Sequence, residues 1–421
     1  MAEIIRLDNG LRIFYKHHPS SKAFALGVFV GAGSAYETPS EGGIAHFIEH
    51  MVFKGTTTRS AFDIANEADS CGITMNAYTS RFFTAFYTIG LAEYADKCAS
   101  LLSDIYFNPT YTEDNILKEK GVVCEEINMY EDDGEDVCLE NLIKTHYGLT
   151  PLSRPILGTA KSVKSLDADK IRAFTAKFYR PENTCVAVVG DISSADAVAL
   201  TEKYFRFPVF ETPFVRPVVP TFEPQASFRK KIKSVEQSCV GISFPSFPYN
   251  HPLKYVPSII SNVLGGGMSS RLFQEIREKA GLVYEIYATN NQYSDNAYFV
   301  IYFATAPSQV TTALTKTRDC LKKVLAEGIT EAEFDKALAQ LKTGVALGSE
   351  SASEIMRMGG KFALSDEVVT HETLLEEFSR LDCATVNGAL KEILDFSKAS
   401  LSYVGKKNPD DLFSLFKEGS L

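Results

Sequence analysis

The 421-residue chain has no surplus of positive charge: 43 lysines and arginines stand against 53 aspartates and glutamates, a formal net charge of -10. Nucleic-acid and polyphosphate binders normally show a basic excess, so that class is disfavoured, and the acidic sign gives only a weak lean toward basic substrates. No apolar run reaches the length of a membrane span. The opening stretch MAEIIRLDNGLRIFYK has no basic segment followed by an apolar one. It reads as strand, turn at Asn9-Gly10 and strand. The eight cysteines contain no CxxC pair, which argues against both a disulfide framework and a thiolate zinc cluster. These absences predict a soluble cytoplasmic protein with reduced thiols and with neither nucleic acid nor membrane as a partner.

What is present is length and repetition. A chain of this size with 45% apolar and 23% charged residues exceeds one hydrophobic core and favours two domains. NTCVAVVGD in the first half matches KASLSYVGK in the second, each an apolar strand ending in Val-Gly. YTEDNILKEKGVVCEEI, from Tyr111, matches ITEAEFDKALAQLKTGV, from Ile329, each a Thr-Glu helix start with a long amphipathic helix behind it. A proline-rich stretch from Phe207 to Gln225 suits an extended connector. The expectation is a duplicated unit of about 200 residues, divided as 1–210, a linker at 211–224, and 225–421. FALGVFVGAG reads as a strand, 43–53 and 59–69 as helices, and GITMNAYTSRFFTAFYTIG as two strands joined by a tight turn. Long helices follow near 91–106, 112–130 and 165–179. Strands that follow one another directly pair antiparallel, so the fold class is α+β rather than a doubly wound parallel sheet.

Histidine is scarce, seven in all, yet two of them stand together in GGIAHFIEHMVFKGT. On a helix His46, Glu49 and His50 project from neighbouring points of one face. Burying two imidazoles and a carboxylate among Ile, Ala, Phe and Met is costly unless something compensates them, and a divalent cation would. A catalytic zinc site usually has three protein ligands and one open position. The helix near 112–130 offers Glu113, Glu119, Glu125 and Glu126 for the third. Glu119 and Glu126 are seven apart and share a face with Val122, Val123 and Tyr130, whereas Glu125 points roughly 100° away. Glu126 is the better candidate, with Glu119 close by to orient a histidine; a solvated helix face is the alternative for these acids. Glu49 is then left beside the open position, where a carboxylate can take the proton of a water whose pKa zinc lowers to about 7, and return it to a leaving amine. The duplicate supports chemistry over architecture. Laying Gly265 over Gly55 puts Val256, Ile259 and Ile260 over His46, Glu49 and His50, and laying Thr330 over Thr112 puts Gly344 over Glu126. LGGGMSSR lacks the Gly-Lys-Ser/Thr of a nucleotide loop and reads as a turn between helices.

The inverted motif His-x-x-Glu-His, with Glu126 seventy-six positions after His50, resembles that of the pitrilysin family of metallopeptidases, or inverzincins. The likeness runs through NAYTSR, KGVVCEEINMYEDD and LGGGMSSRLFQEIREKAGLVYEI, and is close to short bacterial members similar to the mitochondrial processing peptidase β subunit. It implies two similar domains, each a mostly antiparallel sheet of about six strands packed with helices. The 1–210 domain would bind one Zn2+ per chain through His46, His50 and Glu126, with Glu49 as general base and Glu119 in support. The 225–421 domain would hold no metal and would supply substrate-binding residues. The segment Met75 to Thr79, with Asn76, Ala77, Tyr78 and Thr79, resembles the edge strand on which an extended substrate adds; from sequence alone an ordinary sheet strand fits it as well. Arg277 and Tyr284 match the residues that anchor substrate and stabilise an oxyanion. Larger relatives join four such units around a chamber, so two units imply a homodimer, or a heterodimer with a related subunit, acting on peptides or unfolded polypeptide. The rival from another class is a non-catalytic peptide-binding partner subunit of a heterodimeric processing peptidase. One departure is Phe82, where many relatives carry an acidic residue, which bears on side-chain preference and not on the ligand set.

Overall fold

The structure is a computed structural model and describes residues 2–407 and 411–417. In chain order the first half runs β1 (Ala2–Arg6), β2 (Arg12–His17), β3 (Ala23–Val30), α1 (Ile44–Met51), α2 (Ala61–Ser70), β4 (Thr74–Thr79), β5 (Thr84–Leu91), α3 (Ala95–Phe107), α4 (Glu113–Asp132), α5 (Gly134–Tyr147), α6 (Ala160–Lys164), α7 (Ala168–Phe178), β6 (Thr184–Gly190) and α8 (Ser194–Tyr204). The second runs β7 (Phe228–Ile232), β8 (Ser238–Pro245), α9 (Val256–Gly265), β9 (Val283–Gln292), β10 (Ala297–Thr305), α10 (Val310–Glu327), α11 (Glu331–Gly348), α12 (Ala352–Ala363), α13 (His371–Ser379), α14 (Cys383–Ile393), β11 (Ser400–Gly405) and α15 (Leu412–Lys417).

The six strands of the first half form one sheet in the order β1-β2-β6-β3-β5-β4, parallel only between β2 and β6. The second sheet has five, in the order β7-β11-β8-β10-β9, parallel only between β7 and β11. The α+β class therefore holds, and the repeat is visible in strand order, with β7, β11, β8, β10 and β9 in the places of β2, β6, β3, β5 and β4. The second sheet has no counterpart of β1 among the described residues. The central strands β3 and β6 are apolar on both faces because both faces of the sheet are covered. One face carries α1, α2, α3 and α7 over a core that includes Leu26, Val28, Phe47, Leu101 and Phe178. The other carries α12, whose Ile355 and Met356 meet Phe14, Phe29 and Ala187. That contact is close enough to require glycine: a Cβ at Gly359 or Gly360 would stand 2.1 Å from the rings of Phe14 and Phe29.

The compact units do not follow the 1–210 and 225–421 division throughout. One contains residues 1–127, 154–219 and 345–374, the other 128–153, 220–344 and 375–421. Each sheet takes the helix for its second face from the opposite half of the sequence: α12 covers the first sheet and α5 the second, with Cys138 and Leu142 against Gly241. A strand that is apolar on both sides needs two covering layers, and sequence proximity does not say which segment supplies the second. Residues 205–227 hold neither helix nor strand, as expected of an extended connector, but part of this stretch is tied down. Arg216 donates to the Asn183 Oδ1 at 3.0 Å and to the Leu364 carbonyl at 3.2 Å. All eight cysteines are free thiols, and no helix of the described residues is long and apolar enough to cross a membrane.

Candidate metal centre

Helix α1 begins without a capping side chain of its own, because its N-cap residue is Gly43 in a left-handed turn at φ 87°. The cap comes from upstream. The buried carboxylate of Glu37 accepts from the backbone N–H of Gly43 at 2.8 Å and of Ala45 at 3.0 Å, satisfying two of the helix's free donors. Burial pushes the Glu37 carboxyl up to about 7 despite those two bonds. From this fixed start Ile44, Ala45, Phe47, Ile48 and Met51 enter the core, and the remaining face carries His46, Glu49 and His50.

Thr112 stands just before helix α4, and its hydroxyl accepts from the Asn115 N–H at 3.3 Å. Its buried stripe is Ile116, Glu119, Val123 and Ile127. The expected face is thus rotated. Val122 and Tyr130 are exposed, and Glu126 lies at the margin of the buried stripe. The heptad relation between Glu119 and Glu126 is correct, but periodicity alone does not fix the stripe's centre.

The two helices bring three donor atoms together. His46 Nε2 and His50 Nε2 stand 3.6 and 3.4 Å from Glu126 Oε2, and the set lies within a 4.8 Å span. The rings are tilted at 62° with centroids 4.7 Å apart. Glu126 Oε2 and His46 Nδ1 are buried without a hydrogen-bond partner, a cost that a native structure rarely leaves uncompensated. Ligand atoms about 2.0–2.2 Å from a tetrahedral zinc would stand about 3.3–3.6 Å from each other, and both histidine–carboxylate separations fall in that range. Desolvation, with His50 adding to it, lowers the His46 pKa to about 4. Its imidazole is therefore neutral, with a lone pair to give, at any pH near neutrality.

The remaining groups surround this trio. Glu49 stays outside it, and the Thr79 hydroxyl on β4 donates to Glu49 Oε2 at 2.5 Å. Burial raises the Glu49 pKa, against the opposing pull of Thr79 and His50. Glu119 lies 3.2 Å from His50 Nδ1 through one oxygen, and 2.7 Å from Lys54 Nζ through the other. Among the described residues strand β4 is a free edge of its sheet, paired only with β5. Along it Asn76 Oδ1 accepts from the Ala77 N–H, Ala77 is buried, and Tyr78 packs on Phe83 and Tyr87. Between α2 and β4 lies a cleft of about 410 Å³ lined by Phe53, Ile64, Ala68, Ile73 and Met75. Arg277 and Tyr284 belong to the second unit, where the Arg277 guanidinium lies 4.7 Å from the Phe273 ring and 5.9 Å from that of Tyr284. Phe82 packs edge-on against Tyr36.

Residues 12–160 match the family described as Insulinase (Peptidase family M16), and residues 165–341 match the one described as Peptidase M16 inactive domain. A Bacillus subtilis protein named Uncharacterized zinc protease YmxG is 35% identical over 403 residues, covering 94% of this chain and 97% of that protein. The chain belongs to peptidase family M16. A second M16 relative, named an uncharacterized zinc protease of Rickettsia bellii, is 31% identical with 96% of this chain and 98% of that protein covered. Two solved structures share the M16 fold at a TM-score of 0.90. One, titled a peptidase M16 inactive domain from Pseudomonas fluorescens, is 22% identical and covers 97% of this chain and 98% of its own. The other, titled a protease from Helicobacter pylori, is 23% identical and covers 96% and 99%. The region matching the inactive-domain description includes α9, where Val256, Ile259 and Ile260 are all fully buried.

Sequence reasoning did not single out Glu37 or Lys54. Glu37 reaches α1 from outside the helix, so no periodicity marks it. Lys54 lies beyond the end of α1 and reaches Glu119 on another helix, so no spacing marks it either.

Proposed function

We propose that this chain is a zinc-dependent endopeptidase that hydrolyses peptides or unfolded polypeptide segments, working as a dimer that encloses its substrate. The observation that carries the reading is the convergence of His46 and His50 on Glu126, with Glu49 held apart from the trio by Thr79. The family and the printed names of its relatives support it.

His46, His50 and Glu126 would hold the ion. When bound, zinc supplies Lewis acidity, lowering the pKa of a water to about 7 and polarising the scissile carbonyl. Glu49 takes the proton of the attacking water on a carboxylate oxygen, its orientation fixed by the Thr79 hydroxyl. Because burial raises its pKa, the acid form so produced is stabilised long enough to protonate the leaving amine. The free edge of β4, from Asn76 to Thr79, pairs its main chain with that of an extended substrate, which tolerates varied side chains. The cleft beside it, which Asp69 and Thr74 line together with Phe53, Ile64 and Met75, has room for a substrate side chain. Arg277 and Tyr284 anchor substrate and stabilise the carbonyl oxygen as charge develops there. A chamber closed by two chains would admit flexible peptides and exclude folded proteins. The free thiols support a reducing, cytoplasmic setting.

The test is hydrolysis of a quenched fluorescent peptide library by the wild type, by Glu49→Gln, and by chelated protein before and after zinc is restored. Cleavage by the wild type and by zinc-restored protein alone is expected. A wild type that binds peptides tightly and cleaves none would transfer the reading to a non-catalytic partner subunit.

A further inference from the structure

We propose that Lys54 is a positioning residue of the metal centre, holding Glu119 so that Glu119 fixes the ring of His50. The inference rests on the reading of His46, His50 and Glu126 as the ligand set. Lys54 follows the end of α1 and is pinned from two sides through its backbone. Its N–H donates to the Met51 carbonyl at 3.1 Å, and its own carbonyl accepts from the Asn115 side chain on α4 at 3.0 Å. The loop therefore ties the helix of the histidines to the helix of the carboxylates, and its side chain crosses the same gap. Lys54 Nζ reaches Glu119 Oε1 at 2.7 Å, while Glu119 Oε2 lies 3.2 Å from His50 Nδ1.

Each link has a physical reason. The Glu119 side chain is only 5% exposed, and a carboxylate so buried is stable when paired with a cation and costly when alone. Among the described residues Lys54 is its one cationic partner besides the histidine. An ionised carboxylate only accepts, so the bond to His50 places the ring proton on Nδ1. The lone pair is then on Nε2, the atom that faces Glu126 at 3.4 Å. Charge points the same way: Glu49, Glu119 and Glu126 carry three negative charges when ionised, a dication supplies two positive ones, and Lys54 supplies the third.

A bystander lysine makes the opposite prediction. Removing a cation near a dication strengthens the dication's binding by simple repulsion relief, whereas removing the clamp on Glu119 weakens it by freeing the ring. The experiment compares wild type, Lys54→Met and Lys54→Arg. Zinc affinity is measured by competition with a chromophoric chelator, and the His50 tautomer is read in zinc-free protein by long-range proton–nitrogen NMR. Expected for Lys54→Met is zinc binding weaker by about 10–100-fold, the usual effect of losing support behind a ligand, with His50 divided between its two tautomers. Lys54→Arg should return both toward wild type. Zinc bound as tightly as in the wild type or more tightly, or weaker zinc with the proton still wholly on Nδ1, overturns the proposal. Circular dichroism verifies the fold, and Lys54→Gln replaces the methionine variant if that one is not folded. A wild type that binds no zinc would sink the ligand set, while the tautomer comparison would still decide the role of Lys54.

Discussion

Helix α1 in the first unit and α9 in the second each follow a central strand, β3 or β8, and each lies against the sheet's free edge, β4 or β9. Their three corresponding positions differ completely in chemistry. In α9 they are Val256, Ile259 and Ile260, every one fully buried. In α1 they are His46, Glu49 and His50, and the neighbourhood has changed to match: Thr79 meets Glu49, Glu119 meets His50, Lys54 meets Glu119, and Glu126 meets both rings. The pair teaches that this position of the fold is apolar by default. Polar groups stand there with a built set of partners, which the proposed ion would complete from solution.

The comparison can be broken from either side. The largest effect expected is on hydrolysis: Glu49→Gln should lower kcat by roughly 10²–10⁴-fold, the range for loss of a general acid–base group, while zinc content measured by elemental analysis stays unchanged. Introducing the polar residue without its partners should be nearly as damaging to the other unit. Ile259→Glu in α9 should cost about 3–5 kcal/mol, read from denaturant unfolding, because a buried carboxylate there has no Thr79 or ion to answer it. An Ile259→Glu variant as stable as the wild type would mean that α9 is not the apolar default.

Glu37 gives a pH test of the cap that fixes α1. Its carboxyl stands at about 7 in the folded chain against 4.5 for an ordinary glutamate. The folded form therefore holds a proton that the unfolded chain releases first. The stability linked to this proton is fully present below pH 4.5 and is lost as pH rises through about 7. The difference is worth about 3 kcal/mol. Comparing melting temperatures of zinc-free wild type and Glu37→Gln between pH 4 and 8, the wild type should lose stability with rising pH relative to the variant. Parallel curves would remove Glu37 from the account. The smallest effect expected is a gain: Glu49→Leu, which makes α1 resemble α9, should raise the stability of zinc-free protein by about 1 kcal/mol while abolishing hydrolysis. A loss of stability would show that the Thr79 bond outweighs the burial of the carboxylate.

Much of this was legible in the sequence because it is local or periodic. The His46-x-x-Glu49-His50 spacing sets one helix face, seven-residue spacing sets Glu119 beside Glu126, and alternating strands with a repeated Val-Gly ending revealed the duplication. Less legible was anything that depended on which surface a segment meets. The faces of α4 were displaced, so that Val122 and Tyr130 lie outward. The division at 211–224 missed the exchange of α5 and α12, because an amphipathic helix records that it is to be buried and not against which sheet.

The sequence by itself pointed to two repeated halves, to one alone carrying a candidate metal-ligating set, and to Glu126 as the better third candidate, since helical geometry makes these relations a matter of spacing. Only the tertiary structure decided that Glu126 Oε2 stands within 3.6 Å of both Nε2 atoms, that Glu37 caps α1, and that Lys54 reaches Glu119. Those contacts join segments whose separation in the chain carries no period, and packing alone sets their distance.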